Sequence, residues 1–138
     1  MKKLILLLCF GIITLAAGSP PSNTLIIESK PPVSPFKALM GATAWVESSN
    51  DTTALNLEEL AFGVYQIRAI RLKDYNTRTG KGYTLQDCYN KQISDEIYLY
   101  YASKFHPSNL EGVAKSWNGS GEMTKKYWDK IKKQLIKK

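Results

Sequence analysis

The chain has 138 residues, with 19 Lys and Arg against 12 Asp and Glu, one histidine, two cysteines and a formal net charge of +7. That length supports one domain with one core once a leader is set aside. So few His and Cys residues exclude a zinc cluster, and neither a Ser-His-Asp arrangement nor a glycine-rich phosphate loop is present, so no metal and no cofactor is expected.

Met1-Lys2-Lys3 opens the chain with positive charge, 4–15 is apolar apart from Thr14 and Gly11, and Ala16-Ala17-Gly18-Ser19 supplies small residues for signal peptidase. The apolar run is shorter than the roughly 20 residues of a permanent span. Residues 1–18 therefore read as a cleaved signal peptide, and the chain as exported, periplasmic or secreted, without stable membrane insertion. Cys9 lies too early in the run to be a lipid-modified cysteine. Its loss leaves Cys88 alone, read as a buried small hydrophobe, so no internal disulfide forms. Losing Lys2 and Lys3 leaves a charge of about +5, which suits a polyanion. Export favours a cell-wall polymer over nucleic acid.

Residues 19–35 hold five of the six prolines and read as an extended Pro-rich tether. The domain, at 36–138, begins where Ser34 caps a helix and Pro35 takes its first position. Phe36, Met40, Thr43, Ala44 and Glu47 share one helical face, so Glu47 ends an apolar stripe. A carboxylate there is either a buried acid with a task or a terminal residue turned to solvent. Ser48-Ser49-Asn50-Asp51 stops the helix.

Residues 52–62 read as a connector with room for a short hairpin. A second helix is expected from Gly63 through Val64, Ile67, Ile70 and Arg71 toward Tyr75. Gly80 and Gly82 mark a turn, and Thr84-Leu85-Gln86-Asp87 resembles a capping box. Ile93, Ile97, Tyr100, Tyr101 and Phe105 mark a longer helix broken at His106-Pro107. Leu110, Val113, Ala114 and Trp117 mark a short one, stopped at Asn118-Gly119. Met123, Tyr127, Ile131 and Leu135 step by four along a last helix with a lysine-rich outer face. That face reads as solvated rather than as a nucleic-acid or membrane-surface element. The fold class is mostly α (α+β), with a small β element after the first helix.

Three segments, in order, resemble the lytic transglycosylases and goose-type lysozymes of the lysozyme-like fold. Val46-Glu47-Ser48-Ser49-Asn50 is similar to the Glu-Ser step that ends that family's catalytic helix. Gly63-Val64-Tyr65-Gln66-Ile67 is similar to its Gly-Leu-Met-Gln-Ile segment, and Ala114-Lys115-Ser116-Trp117-Asn118-Gly119 to its Ala-Tyr-Asn-Ala-Gly segment. Asn56, Glu59, Ala61 and Gly63 resemble a run found in a branch from Bacteroidota and their phages, as do 83–87 and 125–128. Tyr65 stands where the family has Met, Trp117 where it has Tyr, and Gly119-Ser120-Gly121 lacks the family's Ala.

The resemblance implies cleavage of the β-1,4 bond between N-acetylmuramic acid and N-acetylglucosamine in peptidoglycan strands, by a monomer. Glu47 would be the general acid, its pKa raised by an apolar pocket. Lytic transglycosylases use a single acid, while hydrolysis recruits a second. Glu59 is the candidate partner, with Glu58 and Asp51 also in the connector, and a surface charge is the competing account of Glu59. Ser48, Gly63, Tyr65, Gln66, Tyr101, Trp117 and Asn118 are the candidate substrate-binding residues. Among them Gln66 would bond an N-acetyl group, Gly63 would permit close approach, and the aromatics would stack on sugars. Tyr101, like Tyr100 and Phe105, also fits a purely structural place, and Asn118 an ordinary helix stop. A catalytically silent glycan-binding module with the same groove is the rival from another class.

Overall fold

The computed structural model describes residues 34–137. The expected signal peptide at 1–18 and all but the last two residues of the expected tether at 19–35 lie outside the described residues. The described part is mostly helical with one small sheet.

Helix α1 runs Lys37–Ser48. Phe36 takes its N-cap position, which corrects the expectation of Ser34 as cap and Pro35 as first residue. Those two lie in the turn before it, where the Ser34 carbonyl accepts from Lys37 N at 3.0 Å and its hydroxyl from Phe36 N at 3.3 Å. Leu39, Met40, Ala42, Thr43 and Ala44 form its buried face. Ser49 and Asn50 both take left-handed backbone, with φ of 56° and 67°, and the Asn50 amide reaches back to the Ala44 carbonyl. The helix therefore ends one residue after Glu47.

Three two-residue strands follow, β1 at Leu55–Asn56, β2 at Ala61–Phe62 and β3 at Ile67–Arg68, antiparallel in the order β1-β2-β3. Leu55 faces Phe62 across the first pair, and Phe62 faces Ile67 across the second. Asn56 Oδ1 folds the first turn by accepting from the amides of Glu58 and Glu59. The second turn corrects the expectation of a helix starting at Gly63. Gly63 (φ 72°) and Gln66 (φ 51°) are left-handed, which a right-handed helix cannot contain. The chain instead doubles back to pair β3 with β2, and helix α2 begins only at Ala69, spanning Ala69–Thr79.

Asp87 accepts from both the amide and the hydroxyl of Thr84, as a capping box with Asp would, and starts a 3₁₀ turn at Gln86–Tyr89. Asn90 then caps helix α3, Lys91–Ala102. Its buried stripe is Ser94, Ile97, Tyr98 and Ala102, with Tyr100, Tyr101 and Phe105 only half-buried, so the apolar face is turned from the one expected. The small Ser94 and Ala102 flank Tyr98, whose ring sits 4.8 Å from Tyr65 and 4.7 Å from Trp117. The Tyr98 hydroxyl lies 2.9 Å from Thr43 Oγ1, tying α3 to α1.

Helix α4, Leu110–Asn118, buries Val113, Ala114 and Trp117 as expected. Helix α5, Met123–Ile136, buries Tyr127 and Ile131, but Met123 is exposed. It lies along α1 and α4. Cys88 is free and buried. Among the described residues no helix is long and apolar enough to cross a membrane.

A side chain at Gly63 would be strained twice, by the positive φ and by overlap of a new Cβ with the Cys88 carbonyl oxygen. Gly63→Ala is expected to cost about 3 kcal/mol or more in urea denaturation, from backbone strain and overpacking together. A cost near zero would show that the turn can shift away from the 3₁₀ segment.

Candidate active site

Glu47 occupies the last turn of α1, where the helix leaves its carbonyls unpaired and disfavours a negative charge. Helix α5 packs beside that end, and the Tyr127 hydroxyl donates to Glu47 Oε1 at 2.6 Å. Burial pushes the Glu47 pKa above the ordinary carboxyl value, and Glu59 adds to the rise; the Tyr127 hydrogen bond and the charges of Arg68 and Arg71 oppose it without cancelling it. Burial and the neighbouring carboxylate in turn hold the Tyr127 phenol protonated far above its usual range. The phenol is thus a fixed donor. It occupies one carboxyl oxygen and leaves Oε2 as the position for a transferable proton.

Glu47 opens into a cleft of 220 Å³, lined also by Glu59, Gln66, Arg68, Ile70, Arg71, Trp117, Asn118 and Gly119. Each of the three segments that carry the resemblance contributes to this wall: Glu47 from the first, Gln66 from the second, and 117–119 from the third. They are brought together by three different devices. Ser48 Oγ reaches the Val64 carbonyl at 2.9 Å and the Ala44 carbonyl at 3.1 Å, fastening the end of α1 to the second turn. Gln66 Nε2 donates to the Gly63 carbonyl at 3.0 Å, which holds its left-handed backbone and leaves Oε1 for a donor in the cleft. Trp117 Nε1 donates to the Tyr65 carbonyl at 3.2 Å, fastening α4 to the same turn.

Of the expected substrate-binding residues, Gln66, Trp117 and Asn118 line the cleft, while Ser48, Gly63, Tyr65 and Tyr101 do not. Ser48 spends its hydroxyl on backbone, and Gly63 is buried in the turn. Tyr65 is 1% exposed and its hydroxyl donates to Asp95 at 2.7 Å, so neither ring face can meet a sugar. Tyr101 sits behind Arg71, its hydroxyl 2.8 Å from Asp74 Oδ2. Trp117 is 6% exposed, and the Arg71 guanidinium covers its ring at 4.1 Å. Its stacking face is already taken.

The expected second carboxylate, Glu59, is in the cleft but exposed, and Arg68 Nη2 holds it at 2.6 Å. Glu58 is exposed and Asp51 accepts from Thr53 outside the cleft, so neither joins Glu47. Sequence reasoning missed Tyr127, Arg68, Ile70 and Arg71 as cleft or acid-contacting residues. Tyr127 stood in a stripe that reads as core, and it is buried; only the partner across 80 residues distinguishes it. Among the described residues no group of His, Cys, Asp or Glu could hold a metal ion. The chain matches no family model, no curated protein and no solved structure.

The raised Glu47 pKa has a consequence for stability with a definite sign. The folded chain keeps this proton to a higher pH than the unfolded chain, so Glu47 costs stability progressively as pH rises from its ordinary value of 4.5 to its folded value. Glu47→Gln should therefore be the more stable protein in denaturant at about pH 7, with the difference vanishing by about pH 3.5. A difference that stays constant with pH would mean that Glu47 titrates normally.

Proposed function

We propose that this chain cleaves the β-1,4 MurNAc–GlcNAc bond of peptidoglycan strands, with Glu47 as general acid. What carries the reading is a carboxyl whose pKa is raised by burial, oriented by Tyr127 and opening into a cleft to which all three family-like segments contribute. Glycosidic cleavage needs a proton on the leaving oxygen as an oxocarbenium-like centre develops. A neutral carboxyl supplies it near neutrality only when its charged form is disfavoured. With Oε1 held by the phenol, the proton on Oε2 is directed toward the scissile oxygen.

The reading favours the single-acid route over hydrolysis through a second carboxylate. Glu59 is held by Arg68 rather than standing free to orient water. In the single-acid route Glu47 gives its proton to the leaving sugar. The resulting carboxylate then takes the proton of the muramyl 6-hydroxyl as that oxygen closes on C1, leaving a 1,6-anhydro end. No water is consumed and Glu47 is regenerated. The reading also goes with export to the periplasm or beyond, where the polymer lies, and with action as a monomer.

Purified sacculi test it. Glu47→Gln keeps size and shape and removes only the transferable proton, so cleavage should fall by about 100- to 10,000-fold in a folded variant. Residual turnover above about one-tenth of the parent would remove Glu47 from the role. Mass spectrometry of the released ends, with Glu59→Gln beside the parent, separates the routes. Anhydro ends with substantial activity in Glu59→Gln are expected. Reducing ends with a severely impaired Glu59→Gln would replace the single-acid route with hydrolysis. A parent chain that binds sacculi but never cuts them would leave a silent glycan-binding module.

A further inference from the structure

We propose that Arg71 forms a carboxylate-binding subsite beside Glu47, so that the chain prefers glycan strands bearing an anionic group next to the scissile bond. This rests on the peptidoglycan reading and names which form of that polymer the cleft takes.

The observation is a half-buried cation without a counter-ion. Four charged side chains line the cleft: Glu47, Glu59, Arg68 and Arg71. Arg68 and Glu59 neutralise each other at 2.6 Å. Glu47 must be neutral to act as an acid, which leaves Arg71 as one uncompensated positive charge. Among the described residues Arg71 makes no salt bridge, and burial lowers its pKa, the mark of a guanidinium held partly out of water. Such a charge is costly unless an anion meets it.

Its geometry is that of a pre-set anion clamp. The guanidinium sits in the corner between two inclined rings, 4.1 Å from the Trp117 centroid and 4.9 Å from that of Tyr101. One nitrogen, Nη2, donates to the Trp117 carbonyl at 2.7 Å at the end of α4. Helix capping accounts for that single nitrogen. Nε and Nη1 have no partner among the described residues, and no buried side-chain nitrogen or oxygen lacks one, so these N–H groups are open to solvent on a residue that lines the cleft. Each of these N–H groups can donate a separate charge-assisted hydrogen bond, which is stronger to a carboxylate than to an amide or hydroxyl.

Peptidoglycan offers that chemistry from two sources. One is the lactyl carboxylate of a muramic residue whose stem peptide has been removed. The other is a carboxylate of the stem peptide itself. Four probes separate them: amidase-stripped strands, the same strands coupled to methylamine through carbodiimide, intact short strands, and intact strands amidated in the same way. Neutral chito-oligosaccharide serves as the uncharged comparator. Binding is read on the Glu47→Gln full chain, which does not cut, and kcat/KM on the parent.

Amidation should weaken binding about tenfold or more in the arm that holds the true source, with the loss in KM rather than kcat. Arg71→Gln should abolish the preference for the charged strand over its amidated form, so that the two bind alike, and Arg71→Lys should keep part of that preference. If Arg71→Gln unfolds, the parent's comparison of charged with amidated strands decides alone. Equal binding of charged and amidated strands in both arms overturns the subsite and leaves the muralytic reading standing. Absence of binding and cleavage on every probe removes both.

Discussion

A carboxyl group at the C-terminal end of a helix, partly withdrawn from water, is the constraint around which this domain is arranged. Such a group is opposed by the helix dipole and by desolvation together, and it persists only because α5 lies across the end of α1 and offers a phenol. The Tyr127 hydroxyl satisfies one oxygen of Glu47 without supplying a charge. A lysine in that place would have ionised the carboxyl, and an apolar residue would have left it unsatisfied. A buried neutral donor is the compromise that keeps a proton available. The left-handed residues just after Glu47 serve the same end, since a helix continuing past Ser48 would never turn into the sheet.

The rest of the cleft follows from how the turn at 63–66 is pinned. Ser48 holds it from α1, Trp117 from α4, and Gly63 lets it press against the Cys88 carbonyl where any side chain would collide. Three chain segments far apart in sequence thereby share one wall, and their charges largely cancel: Glu59 with Arg68, and Arg71 left over beside the acid. Arg71 also explains why Trp117 is not a sugar platform. A guanidinium stacked on an indole presents a hydrogen-bonding edge where a bare ring would present a face. The cleft is accordingly one of directed polar groups, with the exposed Ile70 as an apolar member of its lining.

What the sequence by itself determined is local and directional. Apolar spacing marked α1, α4 and α5, the glycine at 80 and the asparagine at 118 marked helix ends, and Glu47 was legible as the residue that breaks an apolar stripe. Periodicity failed where two stripes compete on one helix. In α3 the aromatic run offers Tyr98, Tyr100 and Tyr101, and only the small Ser94 and Ala102 beside Tyr98 decide which face goes in. It failed again at Gly63, where apolar residues at helical spacing conceal a turn, because the left-handed φ of Gln66 has no signature in residue type. The tertiary structure alone decided which side chains meet. Tyr127 reaches Glu47 across 80 positions, and Arg71 reaches the Trp117 carbonyl across 46. A helical pattern states how apolar a face is, but the identity of the group facing it depends on how helices cross, and that is settled by packing the whole core at once.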